Sequence, residues 1–437
     1  MTRETMPNAF RPGAIDLPPE EAALVARRQA ALGPAYRLFY EHPLHLVRGE
    51  GVWLYDAQGR KYLDTYNNVA SCGHCHPCIV AAMADQAAVF ASHTRYLHET
   101  VLTLAERLLA TMPATLGHMM FTCTGSEAND LALRIARAHT GGTGIIVTEN
   151  AYHGVTQNVA EFSPSLGAGV PLGAHVRVVP PPDPRRLGHD VGAGFAQAVQ
   201  TAIADLARHG IRPAALIVDT IFSSDGIFAD PPGCLAPAVE AIRAAGGLFI
   251  ADEVQPGFGR TGAGMWGFAR HGVVPDMVSM GKPMGNGYPV AGLAVRPEVV
   301  AEFAGHARYF NTFGGNAVAA AVANAVLDVI TDEGLIANSR TTGALFADGL
   351  QSLAKDHATL GDLRAAGLFL GLDIVTDGAP DAARAARIVN GLRDEGVLIS
   401  ATGPQGHVLK IRPPLTFSPE NVGFFLDRME RVLRRLG

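Results

Sequence analysis

The chain has 437 residues, of which 48% are hydrophobic and 17% charged, and its net charge at pH 7 is −6. This composition excludes a disordered or fibrous protein, and the negative charge gives no basic surface for nucleic acid or an anionic membrane. A single hydrophobic core does not extend over a chain of this length, so we expect two lobes around one buried active site.

The N-terminal start and the cysteines predict a cytoplasmic protein. Residues 1–5 lack the apolar core of a signal peptide, and no run approaches the roughly 18 apolar residues that span a bilayer. Five cysteines, an odd number in a long chain, fit a reducing compartment better than a disulfide framework.

The N-terminal part, residues 1–69, has a polar lead, an alanine-rich predicted helix over residues 20–32 and a predicted strand over residues 52–55 that runs into a turn. We expect it to contribute to a smaller lobe.

The middle part, residues 70–312, alternates short apolar runs with helical runs. Continuous apolar strands between helices are typical of a mostly parallel sheet buried on both faces. The predicted strands of this large lobe include residues 145–148, 216–219, 248–252 and 277–279.

The last part, residues 313–437, has a long predicted helix over residues 317–330, a strand over residues 369–373 and a basic terminal helix. These elements predict a smaller α/β lobe. The fold class is therefore α/β, with a large lobe built on a mostly parallel sheet flanked by helices.

A glycine and a serine begin a predicted helix in the large lobe. Leu131 and Ile135 lie four residues apart on one helical face, which places Gly125 and Ser126 at the helix N-terminus. The unpaired N–H groups and the positive end of the helix dipole bind a phosphate there without a lysine or arginine. The alternative is that the serine only caps the helix.

An aspartate ends the apolar strand at residues 248–252. The two-residue period of a strand places Asp252 and Val254 on one face and Glu253 on the other. Asp252 can pair with the protonated pyridine nitrogen of a cofactor, and Val254 can pack on its ring. The alternative is an aspartate that closes the strand into a turn.

Lys282 lies in a glycine-rich turn after the strand at residues 277–279, thirty residues after Asp252. Gly281 and apolar residues flank this lysine, which favours the desolvated amine that a Schiff-base nucleophile and proton shuttle needs. Because Gly-Lys pairs are common, the prediction rests on the order of the three elements. Together they predict an enzyme that uses pyridoxal 5'-phosphate (PLP).

With these elements, residues 51–417 resemble the class III aminotransferase family of fold-type I PLP enzymes. The resemblance implies that Lys282 carries PLP as a Schiff base and that Asp252 binds the pyridine nitrogen. It also implies that Tyr152 stacks on the ring and that Gln255 lies by the phenolic oxygen.

The resemblance further implies a homodimer with shared active sites. Gly125 and Ser126 are implied to hold the cofactor phosphate, and Thr312 to reach the phosphate bound to the partner subunit. His153, which follows the stacking tyrosine, is interpreted as a structural residue. The expected partners are therefore a second copy of the chain and a small-molecule amine.

A cysteine cluster offers a different function. Cys72, Cys75 and Cys78 have C-x2-C-x2-C spacing with His74 and His76 between them, which in isolation suggests a zinc or iron–sulfur site. However, a Gly-His-x-His-Pro turn is usual in the resembling family, and no fourth cysteine follows nearby. We therefore expect no metal.

Four segments most resemble the ethanolamine-phosphate and 5-phosphohydroxylysine phospho-lyases, which share the aminotransferase fold but catalyse elimination. These segments are residues 66–70, 281–287, 309–315 and 409–414. The sequence thus predicts a phospho-lyase acting on O-phosphoethanolamine or a similar phosphorylated amine. The alternatives are an ω-amine or amino acid transaminase and a PLP-binding protein without catalysis, against which the intact Lys282 and Asp252 argue.

Departures from the transaminase pattern favour the lyase. Asp219 stands where many class III transaminases have Glu, and Phe222 where they have Gln. In those enzymes the Glu helps an arginine to switch between substrates, and Lys410 stands at the position of that arginine. A planar guanidinium group, which suits a carboxylate, is thus replaced by the compact charge of an ammonium group. If Lys410 and Arg412 share a strand they point to one face, and with Arg37 as a third candidate they predict a phosphate pocket. Alternatively, these are solvated or structural charges.

Overall fold

The N-terminal segment forms one long helix and an antiparallel meander. The computed structural model describes residues 8–437, and residues 1–5, discussed above, lie outside this range. The predicted helix and strand of this segment are confirmed, with the strand one residue later than expected. The elements are α1 (Pro19–Leu32), β1 (Leu46–Glu50), β2 (Trp53–Asp56) and β3 (Lys61–Asp64).

The middle of the chain alternates helices and strands. In chain order the elements are α2 (Pro77–Val89), α3 (Glu99–Ala110), β4 (His118–Thr122), α4 (Gly125–Thr140), β5 (Gly144–Thr148), α5 (Gln157–Ala160), β6 (Val176–Val179), α6 (Pro184–Leu187), α7 (Val191–Arg208), β7 (Pro213–Asp219), α8 (Ala236–Ala244), β8 (Leu248–Asp252), β9 (Met277–Met280), β10 (Ala291–Val295) and α9 (Pro297–His306).

The seven strands β4 to β10 form one sheet in the order β4-β10-β9-β8-β7-β5-β6. Strand β10 is antiparallel to both neighbours, and the other pairs are parallel. Alternate residues of β7 enter different cores: Leu216 packs with α7 and α8, and Ile217 packs with α4 and α9. The sheet is therefore covered on both faces, which confirms the predicted α/β class.

The C-terminal part contains an antiparallel sheet and four further helices. Its elements are α10 (Ala317–Asp332), α11 (Leu335–Asp356), β11 (Leu360–Ala366), β12 (Phe369–Thr376), β13 (Ala379–Pro380), α12 (Ala382–Asp394), β14 (Val397–Leu398), β15 (Ser400–Thr402), β16 (Val408–Ile411) and α13 (Pro419–Leu436). The main path of this sheet is β11-β12-β16-β15, and β14 pairs in parallel with β3.

The pairing of β14 with β3 joins the N-terminal meander to the C-terminal part, while α10 packs against α2 and α3. The domain boundaries at residues 69/70 and 312/313 remain predictions. Within residues 8–437, none of the helices is both long enough and apolar enough to span a bilayer.

Candidate active site

A cavity of about 320 Å³ lies at the carboxyl ends of the central strands. Strands β7 and β8 end in register at Asp219 and Asp252, and Lys282 follows β9, so three ionisable side chains meet at one edge of the sheet. Ligands of α/β sheets bind at this edge. Of the residues predicted to bind the cofactor, all line the cavity except Thr312, which is exposed and lies outside the lining.

The N-terminus of α4 forms one end of the cavity. Thr124 caps this helix: its Oγ1 accepts from the Glu127 N–H at 3.2 Å, and the Glu127 carboxylate accepts from the Thr124 N–H at 3.0 Å. Gly125 and Ser126 therefore sit in the first turn as predicted, and the alternative of a serine cap is wrong. Within residues 8–437 their backbone N–H groups have no hydrogen-bond acceptor, so they remain available to a phosphate.

Close packing at this end requires two glycines. A Cβ on Gly125 would lie 2.8 Å from Cγ2 of Val254, and one on Gly154 would lie 2.4 Å from Oγ of Ser126. The absent side chains let the helix start approach the end of β8. Strand β8 ends at Asp252, so Val254 lies in the turn that follows and not on the strand, and it lines the cavity beside Gly125.

Asp252 is buried and held by three hydrogen bonds. Its Oδ2 accepts from Asn129 Nδ2 at 2.9 Å and lies 2.7 Å from His153 Nδ1, and its Oδ1 accepts from the Val254 N–H at 3.1 Å. Hydrogen-bonding groups therefore contact both oxygens of this side chain. A carboxylate in this position can keep a proton on the nitrogen of a pyridine ring.

Lys282 begins a short 3-10 turn after β9 and has a left-handed φ of 26°. Burial, followed by the nearby positive charge of Arg412, lowers the pKa of its amine. Its Nζ lies 5.9 Å from the centre of the Tyr152 ring. A lowered pKa increases the neutral, nucleophilic fraction of the amine at neutral pH.

These groups fit PLP. Helix N–H groups suit its phosphate, the carboxylate of Asp252 suits its pyridine nitrogen, and the amine of Lys282 suits its aldehyde. Tyr152, with 39% of its surface exposed, offers an aromatic face inside the cavity. All of these groups lie on one continuous cavity wall.

The candidate substrate residues lie outside the lining of this cavity. Lys410 and Arg412 are buried and two residues apart at the end of β16, and both approach the Phe369 ring, with Nζ and Cζ at 5.6 and 5.9 Å from its centre. Arg412 also donates to Gln255, which lines the cavity. Arg37 is exposed in the loop after α1.

Burial and neighbouring charges shift the pKa values of Lys410 and Asp219. Burial, and then Arg412, lower the pKa of Lys410 well below its usual value, while Asp219 opposes this shift. Burial raises the pKa of Asp219, and a hydrogen bond from Ser223 opposes that shift. Asp219 itself lines the cavity.

The cysteine cluster has other contacts. Cys72 is buried, and burial raises the pKa of its thiol to about 12, which disfavours the thiolate that binds metals. His74 pairs with Asp64 at 2.7 Å, and His76 pairs with Glu333 at 2.8 Å. Across residues 8–437, no group of three or more His, Cys, Asp or Glu side chains is arranged to hold a metal ion.

Three polar residues of the site were not identified from the sequence. Asn129 and His153 hold Asp252, although His153 was interpreted as structural, and Ser223 bonds to both Asp219 and Gln255. The available signal for Asn129 was a polar residue on the helix face that also carries Ala132 and Leu133, all buried in α4.

The comparisons with known proteins find relatives along nearly the whole chain. The family model Aminotransferase class-III matches residues 39–433. The chain is 43% identical to a phospholyase from Arthrobacter solved in complex with phosphoethanolamine, with a TM-score of 0.92 over 95% of this chain and 100% of that one. It is 36% identical over 434 residues to ethanolamine-phosphate phospho-lyase homolog 1 of Caenorhabditis elegans, covering 94% of this chain and 93% of the relative. It is also 40% identical over 416 residues to an alanine–glyoxylate aminotransferase 2-like protein of Drosophila melanogaster, covering 91% and 84%.

Proposed function

The chain belongs to the class III aminotransferase family of fold-type I PLP enzymes, and from this membership we propose that it is a phospho-lyase. Its substrate is O-phosphoethanolamine or a similar phosphorylated amine. The likeness to the Arthrobacter phospholyase, 43% identical with a TM-score of 0.92, carries the proposal. The sequence difference at Lys410, where a carboxylate-binding arginine is expected in a transaminase, supports it.

The residues of the cavity have distinct tasks in this reaction. PLP, once bound, supplies a sink for the electron pair left when the carbon beside the amine loses a proton. Lys282 Nζ takes that proton, and its lowered pKa increases the neutral fraction of the amine that can act as a base. Asp252, fixed by Asn129 and His153, keeps a proton on the pyridine nitrogen.

The leaving group decides between elimination and transamination. When phosphate is attached to the neighbouring carbon, the C–O bond breaks and phosphate departs with the electron pair. Water then hydrolyses the resulting enamine to an aldehyde and ammonia. The site needs to favour this outcome by only a few kcal/mol, since each ~1.4 kcal/mol is a factor of ten in rate.

A product assay without a keto acid tests the proposal directly. We expect the PLP-loaded enzyme to convert O-phosphoethanolamine catalytically into equal amounts of phosphate, acetaldehyde and ammonia. Ethanolamine, the matched substrate without the leaving group, should give none of these products. If amines are consumed only when a keto acid is supplied, the chain is a transaminase, the alternative that the Drosophila relative favours.

Lys410 and Arg412 are the proposed phosphate-recognition pair, with Arg37 as an outer candidate. The first two are buried, Lys410 in β16 and Arg412 directly after it, and neither forms an ion pair with a carboxylate of residues 8–437. Burial and Arg412 lower the pKa of Lys410, so its charged form is costly unless a ligand supplies negative charge. The phosphate dianion of the substrate can do so after a modest rearrangement of the wall formed by Gln255.

Replacing Lys410 by methionine should therefore weaken substrate binding more than it slows turnover. We expect the KM for O-phosphoethanolamine to rise about tenfold or more, since a charge-assisted hydrogen bond contributes roughly 1.5–3 kcal/mol. Competitive inhibition by inorganic phosphate should weaken in parallel. The exposed Lys355 provides the control, Lys355→Met. An unchanged KM in Lys410→Met would exclude Lys410 from phosphate recognition.

A homodimer is the proposed assembly. Thr312 is exposed, and its neighbours Phe310 and Phe313 are 37% and 69% exposed. Phe310 contacts His93, which stacks on the exposed Tyr96, so aromatic surface continues around Thr312. Exposed aromatic surface of this kind supports burial by a second copy, whose cofactor phosphate Thr312 would then reach. A cytoplasmic location likewise remains a prediction.

A further inference from the structure

Four polar side chains form one hydrogen-bonded chain behind the cavity wall. Arg412 donates to Gln255 Oε1, Gln255 Nε2 donates to Ser223 Oγ at 2.5 Å, and Ser223 Oγ donates to Asp219 Oδ2. Asp219 and Gln255 line the cavity. Ser223 is fully buried and connects them.

The direction of every hydrogen bond in this chain follows from its two ends. A guanidinium has no acceptor, so the atom of Gln255 that faces Arg412 must be the carbonyl oxygen. The amide nitrogen of Gln255 must then face Ser223, whose hydroxyl accepts one hydrogen and has one of its own to donate. That hydrogen goes to Asp219, because Gln255 Nε2 has no lone pair to receive it.

Asp219 is an acceptor at both of its oxygens. Besides the hydroxyl, the backbone N–H of Ser223 donates to Oδ2 at 3.2 Å, and the N–H of Ile221 donates to Oδ1 at 3.1 Å. Burial raises the pKa of Asp219, and the hydrogen bonds from Ser223 and Ile221 oppose that rise. Gln255 and Ser223 thus connect Arg412 to Asp219 without a direct contact between the two.

We infer that Ser223 is a positioning residue, which holds the Gln255 amide in one orientation in the cavity wall and ties it to the Asp219 carboxylate. With Oε1 on Arg412 and one Nε2 hydrogen on Ser223, the second Nε2 hydrogen is left for the cavity. The expected recipient is the phenolic oxygen of PLP, where the family resemblance locates Gln255. Ser223 has this role in elimination and in transamination alike, because both reactions use the same cofactor.

Loss of the serine hydroxyl frees the amide of Gln255 to rotate and withdraw its hydrogen from the cofactor. Without that donor, the phenolic oxygen of the cofactor more strongly stabilises the proton on the neighbouring Schiff-base nitrogen of Lys282. The pH midpoint of the visible absorption of the bound cofactor should therefore rise by about half a unit or more in Ser223→Ala, a shift of ~0.7 kcal/mol. Ser223→Cys keeps the buried volume but hydrogen-bonds weakly, and should shift the midpoint in the same direction.

The experiment is a pH titration of the absorption of the holoenzyme, combined with thermal unfolding. The half-buried neighbour Ser224 is the control, because only its backbone carbonyl is hydrogen-bonded within residues 8–437. Ser224→Ala and Ser224→Cys should titrate like the wild type. A Ser223→Cys protein that binds PLP, melts at a lower temperature and keeps the wild-type midpoint would overturn the inference, since a purely structural serine has that signature. If Ser223→Ala does not fold, the Ser223→Cys titration alone decides.

Discussion

Replacing Lys282 by alanine is expected to lower kcat by about four orders of magnitude or more, because one amine serves both to bond the cofactor aldehyde and to move the substrate proton. Steady-state release of phosphate from O-phosphoethanolamine measures this loss, and amine consumption with a keto acid measures it for the transaminase alternative. Lys355→Ala, at an exposed position in α11, should retain wild-type kcat. A Lys282→Ala enzyme with more than a hundredth of wild-type kcat would show that another base serves the reaction.

The same substitution should not destabilise the protein without cofactor. Burial, followed by Arg412, lowers the pKa of Lys282, so the unfolded chain binds more protons at this site than the folded chain does. Below the unfolded pKa of roughly 10.4 the lysine therefore opposes folding. Thermal unfolding of the apoprotein at neutral pH should give a Tm for Lys282→Ala at or above that of wild type. This difference should shrink as the pH rises toward the unfolded value.

The large sheet was predictable only where its strands are parallel and central. Strand β8 (Leu248–Asp252) is buried at every residue, and a continuous apolar run is what such a strand requires. Strand β10 (Ala291–Val295) is equally buried but contains small residues, and its antiparallel pairing with β4 and β9 follows no sequence signal that we could use. Its position depends on the whole sheet.

The candidate cofactor residues could be selected from the sequence because each lies at a recognisable local feature. Gly125 follows a helix cap, Asp252 ends a strand and Lys282 lies in a turn. The residues that orient them were not predictable, because their contacts are remote in sequence. Asn129 is separated from Asp252 by 123 positions, and no local pattern couples residues at that separation.

The positions at which this chain departs from the transaminase pattern illustrate the same limit. Phe222 was notable only as a missing Gln, but its ring lies in the core at 5.7 Å from Phe195 and does not line the cavity. Strand β16 ends at Ile411, so Arg412 lies one residue beyond the strand that carries Lys410, although both side chains approach the Phe369 ring. Only the folded chain connects Arg412 through Gln255 and Ser223 to Asp219.

Replacing Asp252 by asparagine should lower kcat by about three orders of magnitude while leaving the cofactor bound. The new amide should turn its carbonyl oxygen toward Asn129 Nδ2 and His153 Nδ1, which meet the present Oδ2, because these two contacts outnumber the single Val254 N–H at Oδ1. The amide nitrogen then takes the position of Oδ1 and presents N–H groups to the pyridine nitrogen. A ring nitrogen that accepts a hydrogen bond is unprotonated, and an unprotonated ring is a poor electron sink.

This result requires two measurements on the same protein. Cofactor content and the Tm of the holoenzyme should stay close to wild type, since the phosphate site at Gly125 and the bond to Lys282 are unchanged. The rate at which a substrate deuterated at the carbon beside the amine loses its deuteron should fall as much as kcat does. The unprotonated pyridine ring slows the removal of hydrogen from that carbon. Asp252→Glu keeps the charge on a longer side chain and should recover part of the rate. If Asp252→Asn turned over within about tenfold of wild type with PLP bound, ring protonation would have to come from another group, and His153, whose Nε2 has no partner among residues 8–437, would be the first to replace.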